Sequence, residues 1–278
     1  MQKNEVIPLV SVVIPCYNTA PYVAEAINSA LQQTYSNIEI IVVDDGSTDN
    51  SPAIIKQLAA DNNFVYIRQE NAGVSSARNT GIHQAKGEAI VTLDADDWMY
   101  PDNVQEKMDL LRKTNADMVF SWAEVTNHKL EMQHYFKGAA IDDFPVNVFD
   151  FAPPPVPSPS SVLVKKSALV GAGLFDTALS VSADLDMWIR ISMEYKVCKV
   201  EKALIKYRLV PGSMNTNIKK QIGDVVYILE KYGDKPDMRT NLKKFKRGFY
   251  YSIAGNSWHT KNYKRLIQYA MKYMSTFF

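Results

Sequence analysis

The stretch Ala89-Ile-Val-Thr-Leu-Asp-Ala-Asp-Asp-Trp-Met-Tyr-Pro101 decides the fold of this chain. Its apolar residues predict a strand buried on both faces, and Asp94, Asp96 and Asp97 follow at the strand end. Three acids within four residues need partners, because burying an unpaired charge is costly. Clustered carboxylate oxygens suit Mg²⁺ or Mn²⁺. The alternative is a solvated acidic turn that caps the helix after Pro101.

Strands and helices alternate along the first hundred residues. Predicted strands cover Leu9 to Pro15, Ile38 to Val43, Phe64 to Arg68 and Glu88 to Leu93, and predicted helices cover Tyr22 to Gln33, the region of Ile54 to Leu58 and Ala72 to Gln84. This order predicts an α/β fold with a mainly parallel, Rossmann-like sheet and helices on both faces. Ligands of such sheets bind beyond the carboxyl ends of the strands.

Three of these strand ends carry polar residues. Pro15 to Asn18, Asp44 to Ser47 and Asp94 to Asp97 follow the first, second and fourth strands, so we expect them to line one crevice. The glycine-rich dinucleotide fingerprint GxGxxG does not follow the first strand, and the phosphate-binding loop GxxxxGK[ST] does not occur. The crevice must therefore hold a nucleotide by other means.

Composition limits the class of protein. The 278 residues are 46% hydrophobic, enough for one large domain or two intimate ones. Cys16 and Cys198 cannot form a disulfide framework and lack metal-ligand spacing, which favours a reducing compartment. The apolar segment Val6 to Ile14 is interrupted by Pro8 and Ser11, so it is interpreted as a strand and not as a signal peptide or a membrane span. We expect a cytoplasmic protein.

The net charge of +1 conceals a basic C-terminal region. Residues 1–213 carry 18 Lys and Arg against 26 Asp and Glu, and residues 214–278 carry 13 against 4. Helical spacing predicts three helices there, near 222–233, 242–253 and 263–277. Lys243 to Arg247, interleaved with Phe245 and followed by Phe249, suits peripheral contact with an anionic membrane at the inner face of the plasma membrane. A solvated helical face is the alternative, and nothing in residues 1–213 supports a nucleic-acid partner.

The motifs along this chain resemble those of the family 2 inverting glycosyltransferases, whose domain has the GT-A fold. The blocks that carry the resemblance are Val10-Ser-Val-Val-Ile-Pro-Cys-Tyr-Asn18, Ile41-Val-Val-Asp-Asp-Gly-Ser-Thr-Asp49, Asn71-Ala-Gly-Val-Ser-Ser-Ala-Arg-Asn-Thr-Gly81 and Leu93-Asp-Ala-Asp-Asp97. A looser likeness continues through Gly173-Leu-Phe-Asp176, Asp184-Leu-Asp-Met-Trp-Ile-Arg190 and Tyr207-Arg208, and it fades after residue 213.

The resemblance implies a donor-binding role for residues of the crevice. Asp45 would accept a hydrogen bond from the nucleotide base, and Asp94 would bind the ribose hydroxyls. Arg78 would lie near the phosphates, the alternative being a surface arginine paired with an acid. The other matched positions expected to bind the nucleotide sugar are Pro15, Tyr17, Asn18, Asn79 and Ala95.

The resemblance also implies a divalent cation, Mn²⁺ or Mg²⁺. Asp96 matches the metal-binding acid of the DxD-like motif, with Asp97 as a second ligand or an orienting group. The family often has a histidine shortly after the Tyr-Arg pair, where this chain has Val210, so the acids, the diphosphate and water would hold the ion. The scattered histidines receive no metal role.

Asp184 is the expected catalytic base. In an inverting transfer the acceptor hydroxyl attacks the anomeric carbon, and a carboxylate on the acceptor side takes its proton. The family usually places a glutamate before this aspartate, whereas this chain has Ala183. The alternative is that Asp184 or Asp186 caps the helix that follows.

We divide the chain into a nucleotide-sugar-binding half (1–105), an acceptor-binding and catalytic half of the same domain (106–213) and a basic helical extension (214–278). Residues 120–160, with the proline-rich segment Pro153 to Pro159, are expected to help choose the acceptor.

The expected function is transfer of a sugar, with inversion, from a nucleotide diphosphate donor, expected to be a UDP-sugar, to a saccharide or lipid-linked acceptor in polysaccharide or glycolipid synthesis. A non-catalytic nucleotide-sugar-binding protein is one alternative, because Ala183 and Val210 depart from the family pattern. A sugar nucleotidyltransferase is another, although it should have a basic, glycine-rich loop where this chain has Cys16 to Ala20.

Overall fold

One sheet runs through the part of the chain that the computed structural model describes, residues 7–141, 144, 154–214, 217–233, 239–259 and 263–275. Within these residues it has nine strands. They are β1 (Val10–Cys16), β2 (Ile38–Asp44), β3 (Val65–Arg68), β4 (Ala89–Thr92), β5 (Trp98–Met99), β6 (Met118–Thr126), β7 (Met132–Phe136), β8 (Val162–Lys165) and β9 (Val197–Arg208). Their order is β3-β2-β1-β4-β8-β6-β9-β5, and β7 pairs with β6.

The first four strands in sequence form the predicted parallel layer. β2 and β4 flank β1, and β3 extends the sheet beyond β2, all in parallel register. β8 then joins β4 and β6 in antiparallel pairs, and β6 pairs in parallel with β9. The carboxyl ends of β1, β2 and β4 therefore meet at one edge, as the alternation of elements predicts.

Helices cover both faces of this sheet, which confirms the predicted class. They are α1 (Val23–Leu31), α2 (Ser51–Asp61), α3 (Val74–Gln84), α4 (Asn103–Thr114), α5 (Lys166–Gly171), α6 (Ala183–Glu194), α7 (Ile218–Gly233), α8 (Arg239–His259) and α9 (Tyr263–Met274). One apolar layer joins α1, α2 and α4 to the sheet, and the other joins α3, α5, α6, α7 and α8 to its opposite face. Phe277, the predicted end of the last helix, lies outside the described residues.

Gly81 sets the distance between α3 and the sheet. A Cβ atom built on Gly81 would overlap the Cγ1 atom of Val13 on β1, so only glycine permits this approach. Val13 is fully buried beneath the helix, whereas Val12 and Ile14 belong to the apolar layer on the other face. This close packing places the N-terminal half of α3, which carries Arg78, beside the carboxyl end of β1.

Residues 120–126 lie in a strand and not in a loop, and a role of residues 120–160 in choosing the acceptor stays a prediction. Residues 118–126 form β6, a strand inside the sheet that pairs with β7, β8 and β9. The polar residues of β6 mask its strand pattern in the sequence, because they find partners elsewhere in the chain. Glu124, for example, accepts a hydrogen bond from the hydroxyl of Tyr100 at 2.7 Å. Pro153 lies outside the described residues, whereas Pro154 to Pro159 lead into a short 3₁₀ helix and β8.

The C-terminal helices pack on the core of the sheet domain. Val225, Ile228 and Tyr232 of α7 and Phe245 and Phe249 of α8 are almost fully buried in the same apolar layer as α3 and α6. None of the helices in the described part of the chain combines the length and apolar character needed to cross a bilayer. Burial of Phe245 and Phe249 removes the two phenylalanines from the predicted membrane-facing surface, because the core of the protein already covers them.

Helix α7 also braces the start of α6. The carboxylate of Asp224 accepts the backbone N–H groups of Ser180, Val181 and Ser182 at 3.1, 2.6 and 2.8 Å. Helix N-termini leave such N–H groups without partners inside the helix, and a negative charge there is favourable. The C-terminal region therefore positions the segment that leads into Asp184.

Candidate active site

A cleft of about 1500 Å³ opens at the carboxyl ends of β1, β2 and β4. Its walls come from the turns after these strands, from α3, from residues 154–159, from the start of α6 and from the segment after β9. The predicted site residues that line it are Pro15, Tyr17, Asn18, Asp45, Arg78, Asp94, Ala95, Asp96 and Asp184. The fold thus brings together most of the residues that the sequence singled out.

Asn18 ties together the turns that follow β1 and β2. Its backbone has a φ of 52°, in the left-handed region that asparagine tolerates better than most residues. The side-chain oxygen accepts the N–H of Thr48 at 2.8 Å, and the Asn18 N–H donates to the hydroxyl of Ser47 at 3.0 Å. The side chain of Asn18 shapes the cleft through these contacts.

Asp45 holds the turn before α3 against the end of β2. Its carboxylate accepts hydrogen bonds from the Gln69 amide at 2.7 Å and from the backbone N–H groups of Ala72 and Gly73 at 2.9 and 2.8 Å. Gly46, at a φ of 75°, passes so near that an added Cβ atom would lie 2.9 Å from the nitrogen of Asn71. A carboxylate has about four acceptor positions, so Asp45 keeps capacity for one more donor.

Arg78 pairs with an acid inside the cleft. Its guanidinium donates to Asp94 at 2.6 Å and lies 5.3 Å from the centre of the Phe175 ring. Only 5% of the residue is exposed, and its Nε atom has no hydrogen-bond partner. Arg78 is thus paired with an acid, as in the alternative, but the arginine is buried and the pair borders the cleft.

The three carboxylates after β4 have different surroundings. Asp96 borders the cleft, and burial together with the charge of Asp94 raises its pKa to about 6. Asp97 is 1% exposed, accepts hydrogen bonds from the Ser160 hydroxyl at 2.5 Å and the Arg208 N–H at 2.9 Å, and is absent from the cleft wall. Burial first, then the nearby acids, hold the pKa of Asp97 well above its usual range.

Arg208, the second residue of the Tyr-Arg motif, also lines the cleft. It is 4% exposed, stacks on the Tyr22 ring at 4.6 Å and pairs with Glu25. Its Nε atom lacks a partner, and its charge lowers the pKa of Asp96. Arg208 therefore supplies part of the positive charge that the acid cluster requires.

Asp184 and Asp186 face different surroundings although they lie two residues apart on α6. Asp184 borders the cleft, where burial raises the pKa of its carboxyl group and the charge of Arg78 opposes that rise. Asp186 is fully buried away from the cleft. It accepts hydrogen bonds from Arg190 and Tyr232 and forms an ion pair with Lys231.

Two departures from the family pattern have clear positions. Ala183 is 1% exposed and packs in the core, so this position does not border the cleft. Val210 lies on the cleft wall, where its side chain offers no metal ligand. No three His, Cys, Asp or Glu side chains among the described residues come together as a metal-binding group.

The predicted donor contact of Asn79 conflicts with its position. Asn79 does not border the cleft, and both ends of its amide bind the backbone of Phe175, at 2.8 and 2.9 Å. Its side chain lies on the face of α3 that holds the 173–176 turn. Asn79 follows the arginine of the motif directly, and helical geometry rotates it about 100° from Arg78.

Buried polar atoms without partners concentrate at the cleft. Within the described residues, five buried side-chain nitrogen or oxygen atoms have no hydrogen-bond partner. Four of them belong to cleft residues: Arg78, Ser158, Trp188 and Arg208. Folded proteins satisfy nearly all buried polar groups, and exceptions call for an explanation such as a ligand. All four are donors, so the cleft is suited to an oxygen-rich ligand.

This fold and cleft define an α/β domain with a ligand site at the carboxyl edge of its sheet, and comparison with known proteins identifies the family. The model of the family described as "Glycosyl transferase family 2" matches residues 11–169. The chain belongs to this family, which confirms the predicted family. An uncharacterized glycosyltransferase of Rickettsia felis is 36% identical over 207 residues, which is 72% of this chain and 34% of that protein. The chain thus spans about a third of that relative.

Solved structures confirm the GT-A-type fold. S. aureus TarS 1–349 in complex with UDP-GlcNAc superposes with a TM-score of 0.69 at 17% identity, covering 96% of this chain and 81% of that one. The mannosyltransferase PcManGT from Pyrobaculum calidifontis, in complex with GDP-Man and Mn²⁺, gives a TM-score of 0.65 at 20% identity, covering 96% and 74%.

Proposed function

We propose that this chain transfers a sugar from a nucleotide diphosphate donor, a UDP-sugar, to a saccharide or lipid-linked acceptor with inversion at the anomeric carbon. One observation carries the proposal: Asp184 borders the same cleft as Arg78, Asp94 and Asp96. Burial raises the pKa of Asp184, and the charge of Arg78 opposes that rise. A proton acceptor thus lies beside a group of charges suited to a phosphorylated ligand.

The donor would occupy the crevice beyond β1, β2 and β4. Asp45 has acceptor capacity left for a nucleotide base, and Asp94, partly exposed, would bind the ribose hydroxyls. Arg78 and Arg208 each carry an unpartnered Nε–H group at the cleft, and guanidinium groups bind phosphate oxygens well. Ligand binding would give the Nε–H groups of both arginines an acceptor.

A divalent cation, Mn²⁺ or Mg²⁺, fits the acid cluster in one arrangement. Asp96 is a cleft carboxylate whose pKa is raised by burial and by the charge of Asp94, so a bound cation would stabilise its charged form. Asp97 is committed to Ser160 and Arg208, so we assign it the orienting role and Asp96 the ligand role. Mg²⁺ typically uses one or two carboxylates plus substrate phosphates. The cation would stabilise the charge of the departing diphosphate.

The reaction is a single displacement. The acceptor oxygen forms a bond to the anomeric carbon while the bond from that carbon to the diphosphate oxygen breaks, and the acceptor proton passes to Asp184. Burial raises the basicity of the Asp184 carboxylate, because desolvation disfavours its charged form. The electron pair of the broken bond leaves with the nucleoside diphosphate.

A donor panel tests this function. We expect UDP-GlcNAc, UDP-glucose or GDP-mannose to raise the melting temperature in the presence of Mn²⁺, since a ligand at a hundred times its dissociation constant stabilises by about 2.7 kcal/mol. We also expect slow release of the nucleoside diphosphate, because water can replace the acceptor. Binding without turnover on any acceptor would support the non-catalytic alternative, and no binding would exclude both readings.

Peripheral contact with an anionic membrane at the inner face of the plasma membrane stays a prediction. It now rests on the exposed Lys243, Lys244 and Lys246 of α8, because Phe245 and Phe249 are buried. Each basic residue near such a surface contributes about 1 kcal/mol. The full chain should therefore float with phosphatidylserine liposomes at low salt, and replacing these three lysines by glutamate should abolish flotation. Failure of the wild-type chain to float would rule out the contact.

A further inference from the structure

Trp188 is a cleft residue whose polar group has no partner. It lies four residues after Asp184 on α6, and residues at this spacing share one face of a helix. Its side chain borders the cleft and is 2% exposed. The indole Nε1–H is one of the buried donors without a hydrogen-bond partner in the described residues. A buried hydrogen-bond donor near the proposed base therefore has no acceptor within the described residues.

The indole ring is held in place by packing. Trp188 meets the Phe175 ring edge to face, with centroids 6.2 Å apart and planes at 81°. Phe175 in turn is anchored by two hydrogen bonds between its backbone and Asn79, and its ring supports the Arg78 guanidinium. The sequence motif that contains Asn79 thus serves the cleft indirectly. A donor fixed by its neighbours binds with little further loss of rotational freedom.

The position and chemistry of the indole select its partner. An indole N–H only donates, so the partner is an oxygen acceptor. Trp188 is 2% exposed, whereas Asp184 one turn earlier on α6 is partly exposed, so the indole would meet the portion of a ligand that enters deepest. In the proposed function that portion is the transferred sugar, since the acceptor approaches Asp184 from the solvent side.

We propose that the Nε1–H of Trp188 donates a hydrogen bond to an oxygen substituent of the transferred sugar and that Trp188 determines donor specificity. This inference rests on the proposed function. A site built to hydrogen-bond a substrate group rejects analogues that lack it, because its own buried donor is then left unpaired. The nucleotide portion of the donor does not take part in this contact.

Nitrogen-15 NMR of the indole N–H signals provides a direct test. The chain has four tryptophans, and the Trp188→Phe variant assigns the signal of interest. The wild-type protein is titrated with UDP, GDP, UDP-GlcNAc, UDP-glucose and GDP-mannose in the presence of Mn²⁺. We expect the Trp188 signal to shift further with at least one sugar nucleotide than with its nucleoside diphosphate. Trp188→Phe should weaken that sugar nucleotide about tenfold or more and leave the nucleoside diphosphate unchanged.

Trp122→Phe is the matched control. Its indole nitrogen also lacks a partner, but Trp122 does not border the cleft, so both affinities should stay at wild-type values. Sugar-nucleotide binding that leaves the Trp188 signal where the nucleoside diphosphate leaves it would overturn this inference alone. Absence of all nucleotide binding would overturn the proposed function, and this inference with it.

Discussion

Turnover falls about 10²- to 10⁴-fold in Asp184→Asn, and the affinity for UDP stays nearly unchanged. In the proposed mechanism the base contacts the acceptor hydroxyl and not the nucleotide, so its loss would affect the chemical step. Asparagine preserves the size of the side chain and its hydrogen bond from the Leu185 N–H, 2.8 Å in the wild type. Steady-state kinetics with the active donor, together with UDP calorimetry, separates the two effects.

Asp186→Asn is the matched control on the same helix. Asp186 is buried in a network with Arg190, Lys231 and Tyr232, so the substitution should destabilise the protein by about 3–5 kcal/mol. At low temperature the folded fraction should retain wild-type turnover. Near wild-type turnover in Asp184→Asn, or a folded but inactive Asp186→Asn, would show that the assignment of the base is wrong.

The pH dependence of turnover is a second test of the role of Asp184. Burial raises the pKa of Asp184, so its carboxyl group takes up a proton at a higher pH than an exposed aspartate, whose pKa is about 3.9. A protonated carboxyl group cannot accept the proton of the acceptor. Turnover in the wild type should therefore fall as pH drops through this raised pKa, and the residual turnover of Asp184→Asn should lack that dependence.

Removing the carboxylate of Asp96 should abolish both activity and the effect of the cation on nucleotide binding. In the wild type, UDP should bind more tightly with Mn²⁺ than with EDTA, because Asp96 would hold the ion and the ion would stabilise the negative charge of the diphosphate. In Asp96→Ala the two affinities should converge. Isothermal titration calorimetry of UDP under both conditions measures the difference directly.

Asp109→Ala is a suitable control for Asp96→Ala. Asp109 is an exposed acid of α4 that contacts Gln105 and does not border the cleft, so the Mn²⁺ effect should persist. Equal UDP affinity in Mn²⁺ and EDTA for the wild-type protein would contradict a role for the metal. A persistent Mn²⁺ effect in Asp96→Ala would instead place the ion on other ligands.

Much of the architecture follows from local patterns in the sequence. Runs such as Ala89–Thr92 bury both faces, and helical spacing separates them, so the order of elements predicts the sheet and its ligand-binding edge. The C-terminal helices were predicted for the same reason. The strand at residues 118–126 is not evident from the sequence, because its polar side chains find partners elsewhere in the chain, which no local pattern reveals.

The sequence by itself determined which acids, arginines and turns meet at the strand ends. Only the tertiary structure decided which of them face the cleft. Asp97 turns toward Ser160 and Arg208, 63 and 111 residues further along the chain, while Asp96 beside it borders the cleft. Asp184 likewise borders the cleft whereas Asp186 does not, because Lys231 and Tyr232 of α7 hold Asp186 in the interior. Side chains that are neighbours in sequence point in different directions, so each meets different partners from distant parts of the chain. Those partners determine whether an acid is held in the interior or is available to a ligand in the cleft.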